Sequence, residues 1–92
     1  MIAKRLIIAG RVQGVGYRDW MVPEAERLGV HGWVRNRGGG EVEALIAGDV
    51  DAVEELARQC RRGPRMAHVT SITEEPAEPP EEDGFRRVSS VP

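Results

Sequence analysis

Apolar residues divide the chain into several strand-like segments. Residues 6–9 are apolar on both faces, which is typical of an interior strand rather than an edge strand. Residues 30–36 and 41–47 alternate, and the glycines at 38–40 predict a hairpin turn between them. In the second of these segments the inward positions are Val42, Ala44 and Ile46. Residues 66–73 predict a fourth strand, with a bulge because its apolar anchors Val69 and Ile72 are oddly spaced. Residues 84–88 predict a short closing edge strand.

A first helix is predicted by apolar residues that recur every three or four positions in residues 19–28. The residues on its buried face are Met21, Ala25 and Leu28. Asp19 is placed to cap the helix, and Gly29 is placed to end it. Pro23 has no N–H, so either the first turn is irregular or the regular helix begins at Pro23.

A second helix, residues 49–62, has the clearest helical pattern in the chain. Its apolar stripe consists of Val53, Leu56, Ala57 and Cys60. Acidic residues at its start and arginines at its end favour the helix dipole, and Gly63-Pro64 ends it. Because Cys60 lies on the stripe, we expect a packed thiol rather than a nucleophile.

The order of the elements predicts the fold class. Strand, helix, strand, strand, helix and strand, with right-handed crossovers, place two helices on one face of an antiparallel sheet. We therefore predict a ferredoxin-like α+β sandwich with four main strands and a short fifth. With 92 residues the chain is expected to form one domain, residues 1–92. An exposed acidic loop with prolines is predicted at 74–84, and a loose tail at 89–92.

Composition limits the partners that the chain can have. The formal net charge of −2 argues against nucleic acid as the main partner. No apolar stretch approaches the roughly 18 residues of a membrane span, and residues 1–5 are too short for a signal peptide. The single cysteine cannot form an internal disulfide and suits a reducing cytoplasm. We expect a cytoplasmic monomer that acts on a small molecule.

Residues 10–18, Gly-Arg-Val-Gln-Gly-Val-Gly-Tyr-Arg, form the stretch best suited to chemistry. They lead from the first strand into the first helix, where successive backbone N–H groups and the helix N-terminus favour an anion. Gly14 and Gly16 let the backbone approach a ligand, and Arg18 supplies a planar guanidinium for two phosphate oxygens. The glycine spacing matches neither the dinucleotide fingerprint nor the P-loop, and on physical grounds alone a structural turn is an equal alternative.

These residues resemble the signature loop of the acylphosphatase family. Residues 32–36, Gly-Trp-Val-Arg-Asn, resemble the second motif of that family at about the expected distance downstream. The resemblance covers nearly the whole chain and weakens in the acidic segment and the tail. Tyr17 stands where Phe is commoner, and Asp19, next to Arg18, introduces a carboxylate that either pairs with the arginine or caps the helix.

The resemblance implies a role for each site residue. Arg18 would bind the phosphate together with the backbone amides of Gln13, Gly14, Val15, Gly16 and Tyr17. Asn36 would hold the attacking water, whereas by itself an asparagine at this position favours a capped hairpin turn. The resemblance implies hydrolysis of acyl phosphates with neither a metal, a cofactor nor a phosphoenzyme. Arg35 and Arg37 alternate with Asn36 and are expected to point away from the site.

The remaining chemistry of the chain is sparse. His31, His68 and Cys60 form no set with metal-ligand spacing, and the acidic segment is expected to be solvated rather than to bind Mg²⁺. Without a strong acid the site suits a leaving group that departs as a stable anion, as the carboxylate of an acyl phosphate does. Two alternatives are a non-catalytic ferredoxin-like ligand-binding module and a carbamoyl-phosphate-handling domain of a larger assembly. At this length we expect a free-standing enzyme.

Overall fold

Seven segments of regular structure follow one another in the computed structural model, which describes residues 1–92. They are β1 (Ile2–Arg11), α1 (Tyr17–Leu28), β2 (His31–Asn36), β3 (Val42–Gly48), α2 (Val50–Cys60), β4 (His68–Pro76) and β5 (Phe85–Arg87). The strands form one sheet in the spatial order β4-β1-β3-β2-β5. All neighbouring strands are antiparallel except β2 and β5, which are parallel. The predicted fold class is confirmed, and β1 lies in the interior of the sheet.

One face of the sheet packs against both helices and forms the hydrophobic core. Side chains alternate across each strand, so that Leu6 and Ile8 of β1 are fully buried while their neighbours point to the other face. The inward residues predicted for β3 and for α2 all belong to this core. Full burial of a side chain of this size contributes about 1.5–3 kcal/mol. Neither helix has the length and apolar character needed to cross a membrane.

Helix α1 begins two residues earlier than the sequence pattern predicts. Gly16, with φ of 79°, occupies the N-cap position, and Asp19 lies in the first turn without capping it. The prediction that Asp19 caps the helix is therefore wrong. The regular helix also does not begin at Pro23, because α1 continues through it; the missing proline N–H removes only one helical hydrogen bond. Gly29 ends the helix as predicted, with φ of 72°.

Strand β4 extends further into the acidic segment than predicted. Glu74 and Glu75 belong to the strand and bind basic residues of β1. Glu75 binds Arg5, which lies directly opposite it, and Glu74 Oε1 lies 3.0 Å from Nζ of Lys4, its diagonal neighbour. Pairing with β1 thus shortens the loop predicted at 74–84. The bulge is confirmed, because Ala9 pairs with Ser71 whereas Gly10 pairs with Val69.

The C-terminal tail is attached to the sheet, so the prediction of a loose tail is wrong. The N–H of Val88 donates to the carbonyl of Val34 at 2.9 Å, and the N–H of Val91 donates to the carbonyl of Asn36 at 3.0 Å. The tail thus continues along β2 after β5 ends. It satisfies backbone carbonyls that would otherwise remain unpaired at the edge of the sheet.

Candidate active site

The predicted site lies where the loop between β1 and α1 meets the end of β2. Residues 12–16 connect β1 to α1 and have no regular structure. Asn36 is the last residue of β2 and shares the helix-covered face of the sheet with Val34, because alternate residues of a strand point to the same side. The two motifs singled out in the sequence thereby come together on one side of the molecule.

The backbone of the loop leaves a row of free donors. Gly14 and Gly16 have φ of 74° and 79°, in the left-handed region that side chains with a Cβ avoid. No backbone N–H of residues 13–17 donates a hydrogen bond within the chain. Because Gly16 precedes the first turn of α1, the free donors at the end of the row also carry the partial positive charge of the helix N-terminus. Such a row of oriented amides favours an anion.

The side chain of Gln13 fixes the loop against the β2–β3 hairpin. Its amide nitrogen donates to the carbonyl of Arg37 at 2.8 Å and to the carbonyl of Glu41 at 2.9 Å. Since Arg37 directly follows Asn36, these bonds couple the loop to the end of β2. The sequence indicated only the backbone of Gln13, because nothing in the pattern revealed which loop would lie beside it.

A cavity of about 200 Å³ joins the loop to Asn36. It is lined by Val12, Gln13, Gly14, Gly16, Tyr17, Arg18, Asp19, Asn36 and Arg87. Of the residues predicted for the site, only Val15 lies outside this lining. The volume far exceeds the roughly 10–15 Å³ that one water needs, so the cavity has room for a small anion and a water together. Its lining contains two guanidinium groups and one carboxylate.

Arg18 is available to bind a ligand. The residue is half-buried, and its guanidinium takes part in no ion pair or side-chain hydrogen bond. The carboxylate next to it, Asp19, is instead bound by Arg87, whose Nη1 lies 2.6 Å from Asp19 Oδ1. Of the two arrangements raised by the sequence, pairing of Asp19 with Arg18 or capping of α1, neither occurs. Arg87 was not predicted as a site residue.

Asn36 carries the one buried side-chain polar atom that has no hydrogen-bond partner in the chain, its Oδ1. A buried acceptor of this kind costs about 1–3 kcal/mol unless a ligand or water donates to it. The backbone of Asn36 is fixed through the Val91 N–H. Its neighbour Arg35 points to the opposite face of the sheet and binds Glu43 at 2.8 Å, as the strand alternation predicts.

The ionisable core residues near the site have no free role in chemistry. Tyr17 is buried, and its hydroxyl donates to the carbonyl of Cys60 at 2.6 Å. Burial raises the pKa of Tyr17 far above its usual value. Burial also raises the pKa of the Cys60 thiol to about 12, so the thiol stays protonated. The interpretation of Cys60 as a packed residue is consistent with its position on the buried face of α2.

No three histidine, cysteine, aspartate or glutamate side chains come together as potential metal ligands. His31 instead has a structural contact: its Nδ1 accepts a hydrogen bond from the N–H of Gly84 at 2.8 Å. His68 lies at the start of β4 and does not line the cavity. The functional groups of the cavity are therefore backbone amides, two guanidiniums, one carboxylate and the Asn36 carboxamide.

Comparison with known proteins gives consistent matches. The family model described as Acylphosphatase matches residues 4–87. The acylphosphatase of Acidiphilium cryptum (strain JF-5) is 67% identical over 85 residues, which cover 92% of this chain and 93% of that protein. The crystal structure of acylphosphatase from Bacillus subtilis matches with a TM-score of 0.89 at 35% identity, over 96% of this chain and 99% of that chain. Full-length HypF in its phosphate- and nucleotide-bound form matches with a TM-score of 0.89 at 26% identity, over 98% of this chain and 12% of that chain.

Proposed function

Since the chain belongs to the acylphosphatase family and is an enzyme that hydrolyses acyl phosphates, we propose how its residues divide the work. Arg18 and the backbone amides of residues 13–17 hold the phosphoryl group, and Asn36 holds a water that attacks phosphorus directly. The products are a carboxylate and inorganic phosphate. No covalent phosphoenzyme and no metal ion take part.

Free donors in the loop support this way of binding the phosphoryl group. The unpaired N–H groups of residues 13–17 face no competing acceptor in the chain, and the Arg18 guanidinium has no carboxylate partner. Charge in a loose phosphoryl-transfer transition state spreads over three equatorial oxygens. Donors fixed before the reaction stabilise that charge without reorganisation, which is the largest contribution in many enzymes.

The unpartnered Oδ1 of Asn36 is the observation that carries the proposal. It is a buried acceptor on the wall of the cavity that also contains Arg18. A water that donates one hydrogen bond to this atom satisfies it and leaves a lone pair of the water oxygen for the phosphorus. Holding the two reactants in this geometry lowers the entropic part of the barrier.

The leaving group explains why no general acid is required. The water oxygen forms a bond to phosphorus while the phosphorus–oxygen bond to the acyl group breaks. The acyl oxygen takes the electron pair and departs as a carboxylate, whose conjugate acid has a pKa near 4. The proton of the attacking water passes to phosphate or bulk water. Asp19 is not used as a base, because its carboxylate is bound to Arg87.

Steady-state kinetics with acetyl phosphate tests these roles. We expect Arg18→Ala to lower kcat/KM by on the order of 10³-fold, and Asn36→Ala to lower kcat by on the order of 10²–10³-fold with little change in KM. Arg37→Ala is the matched control, because its side chain adjoins Asn36 in sequence but neither lines the cavity nor forms an ion pair. Turnover close to that of the wild type in either variant would remove that residue from the mechanism.

Two further measurements test the chemistry itself. Hydrolysis in ¹⁸O-labelled water is expected to place the label in inorganic phosphate, because attack occurs at phosphorus; label in the carboxylate would contradict it. Activity is expected to be the same with and without EDTA, and a loss with EDTA would contradict the metal-free mechanism. Parallel assays of acetyl phosphate and carbamoyl phosphate compare the favoured function with that of a carbamoyl-phosphate-handling domain.

A further inference from the structure

The anion cavity contains a carboxylate that opposes the binding of phosphate. Asp19 directly follows Arg18 and lines the same cavity. If Asp19 had no partner, its negative charge would repel a phosphoryl group. Its carboxylate would also compete with the phosphoryl group for the guanidinium of Arg18, because both residues lie in the first turn of α1. An enzyme for an anionic substrate therefore needs this carboxylate either neutralised or turned away.

Arg87 is placed to neutralise the carboxylate of Asp19. Phe85 and Arg87 are two residues apart on β5, so both side chains lie on the helix-covered face of the sheet. Phe85 is buried in the core, while Arg87 pairs in register with Val34 of β2 and is 46% exposed at the rim of the cavity. From there its guanidinium contacts Asp19 at 2.6 Å. Arg18, which directly precedes Asp19 in the chain, is left without an ion-pair partner.

We propose that Arg87 is a positioning residue that holds the Asp19 carboxylate at the rim and thereby keeps Arg18 free for the phosphoryl group. This inference rests on the proposed role of Arg18. Arg87 acts through Asp19 and does not contact the substrate. The charges of Arg87 and Asp19 compensate each other, so that the cavity presents one net guanidinium, that of Arg18, to its ligand.

Removal of Arg87 tests the first half of this inference. In Arg87→Gln we expect KM for acetyl phosphate and the inhibition constant for inorganic phosphate to rise about three- to tenfold, with kcat within twofold of the wild type. Arg87→Lys keeps a positive charge and is expected to recover at least half of that loss on a logarithmic scale. Arg86→Gln is the matched control, because Arg86 is on the same strand, is paired with Glu82 and does not line the cavity.

A double-variant cycle tests the second half. With Asp19→Asn there is no carboxylate to compete, so the double variant Asp19→Asn/Arg87→Gln is expected to have KM and phosphate inhibition within twofold of Asp19→Asn alone. If the double variant binds phosphate as weakly as Arg87→Gln, Arg87 contacts the ligand directly and the proposal is overturned. Unchanged KM and phosphate inhibition in Arg87→Gln would overturn it as well.

The outcomes separate this inference from the proposed function. Near-normal activity in Arg18→Ala would refute the role of Arg18 in the proposed mechanism, whatever Arg87 does. Loss of activity in Arg18→Ala together with unaltered phosphate binding in Arg87→Gln would overturn the positioning role of Arg87 alone. Circular dichroism of each variant confirms that the fold is retained before the constants are compared.

Discussion

Gly63 is the position where one added methyl group is expected to affect both stability and the active site. It follows α2, has φ of +65°, and a Cβ placed there would lie 2.5 Å from Cε2 of Tyr17. The Tyr17 ring cannot simply turn aside, because its hydroxyl is bound to the Cys60 carbonyl. Tyr17 is also the first residue of α1, directly before Arg18.

Two separate costs determine how far Gly63→Ala lowers the unfolding free energy. A left-handed conformation costs a residue with a Cβ about 1–2 kcal/mol relative to glycine, and overpacking a filled core costs about 1–3 kcal/mol. For Gly63→Ala the sum is about 2–5 kcal/mol. Gly29→Ala is the matched control: Gly29 has φ of +72°, but a Cβ at this position would have no atom of another segment within 4 Å. Gly29→Ala is therefore expected to have only the cost of the left-handed conformation and no overpacking cost.

Urea denaturation followed by tryptophan fluorescence measures the difference. Trp20 packs edge-on against Tyr17, with ring centroids 5.4 Å apart, and therefore reports on this region. We expect Gly63→Ala to unfold with a free energy at least about 1 kcal/mol lower than that of Gly29→Ala, and to raise KM for acetyl phosphate about twofold or more. Equal stabilities of the two variants within about 0.5 kcal/mol would refute the packing argument.

Three other outcomes follow from the hydrogen bonds of individual polar side chains. Tyr17→Phe leaves the Cys60 carbonyl without its donor and is expected to lower the unfolding free energy by about 1–2 kcal/mol in urea, with kcat/KM unchanged. Burial raises the pKa of Glu43, but hydrogen bonds from two arginines outweigh this effect and hold the pKa below its usual value. The contribution of Glu43 to the unfolding free energy is therefore complete at neutral pH and is lost as pH falls below about 4.5. In a series of Tm measurements against pH, Glu43→Gln is expected to reduce the fall in Tm at acid pH. Gln13→Ala removes the two bonds to the hairpin and is expected to lower kcat/KM about tenfold, whereas an unchanged value would show that the loop holds its shape alone.

The element order and the core could be predicted from the sequence because both depend on local periodicity. The stripe of α2 and the inward positions Val42, Ala44 and Ile46 of β3 lie in the core as the periodicity predicts. The alternation did not predict that the opposite face of β3 is also buried, as Glu43 and Leu45 are. Boundaries were less predictable. Asp19 is a residue type that favours the cap position, but Gly16, which precedes it in the chain, adopts the left-handed conformation that ends the loop and starts the helix there.

The pattern of apolar and polar residues could not predict contacts between segments that are distant in the sequence. The tail attaches to β2 because β5 leaves the end of that strand with free carbonyls, which depends on which strand lies at the edge. For the site, the glycine loop predicted free amides, whereas the pairing of Asp19 with Arg87 joins residues 68 positions apart. The sequence predicted a short edge strand at residues 84–88, but not that its Arg87 would contact the start of α1.

The central claim is that the backbone amides of residues 13–17, together with Arg18, bind the phosphoryl group. Titration of ¹⁵N-labelled protein with inorganic phosphate, followed by amide chemical shifts, tests it most directly. The account predicts that the largest shifts fall on these five amides and that Arg18→Ala abolishes them at the same phosphate concentration. Shifts centred on another part of the surface, or undiminished shifts in Arg18→Ala, would contradict it.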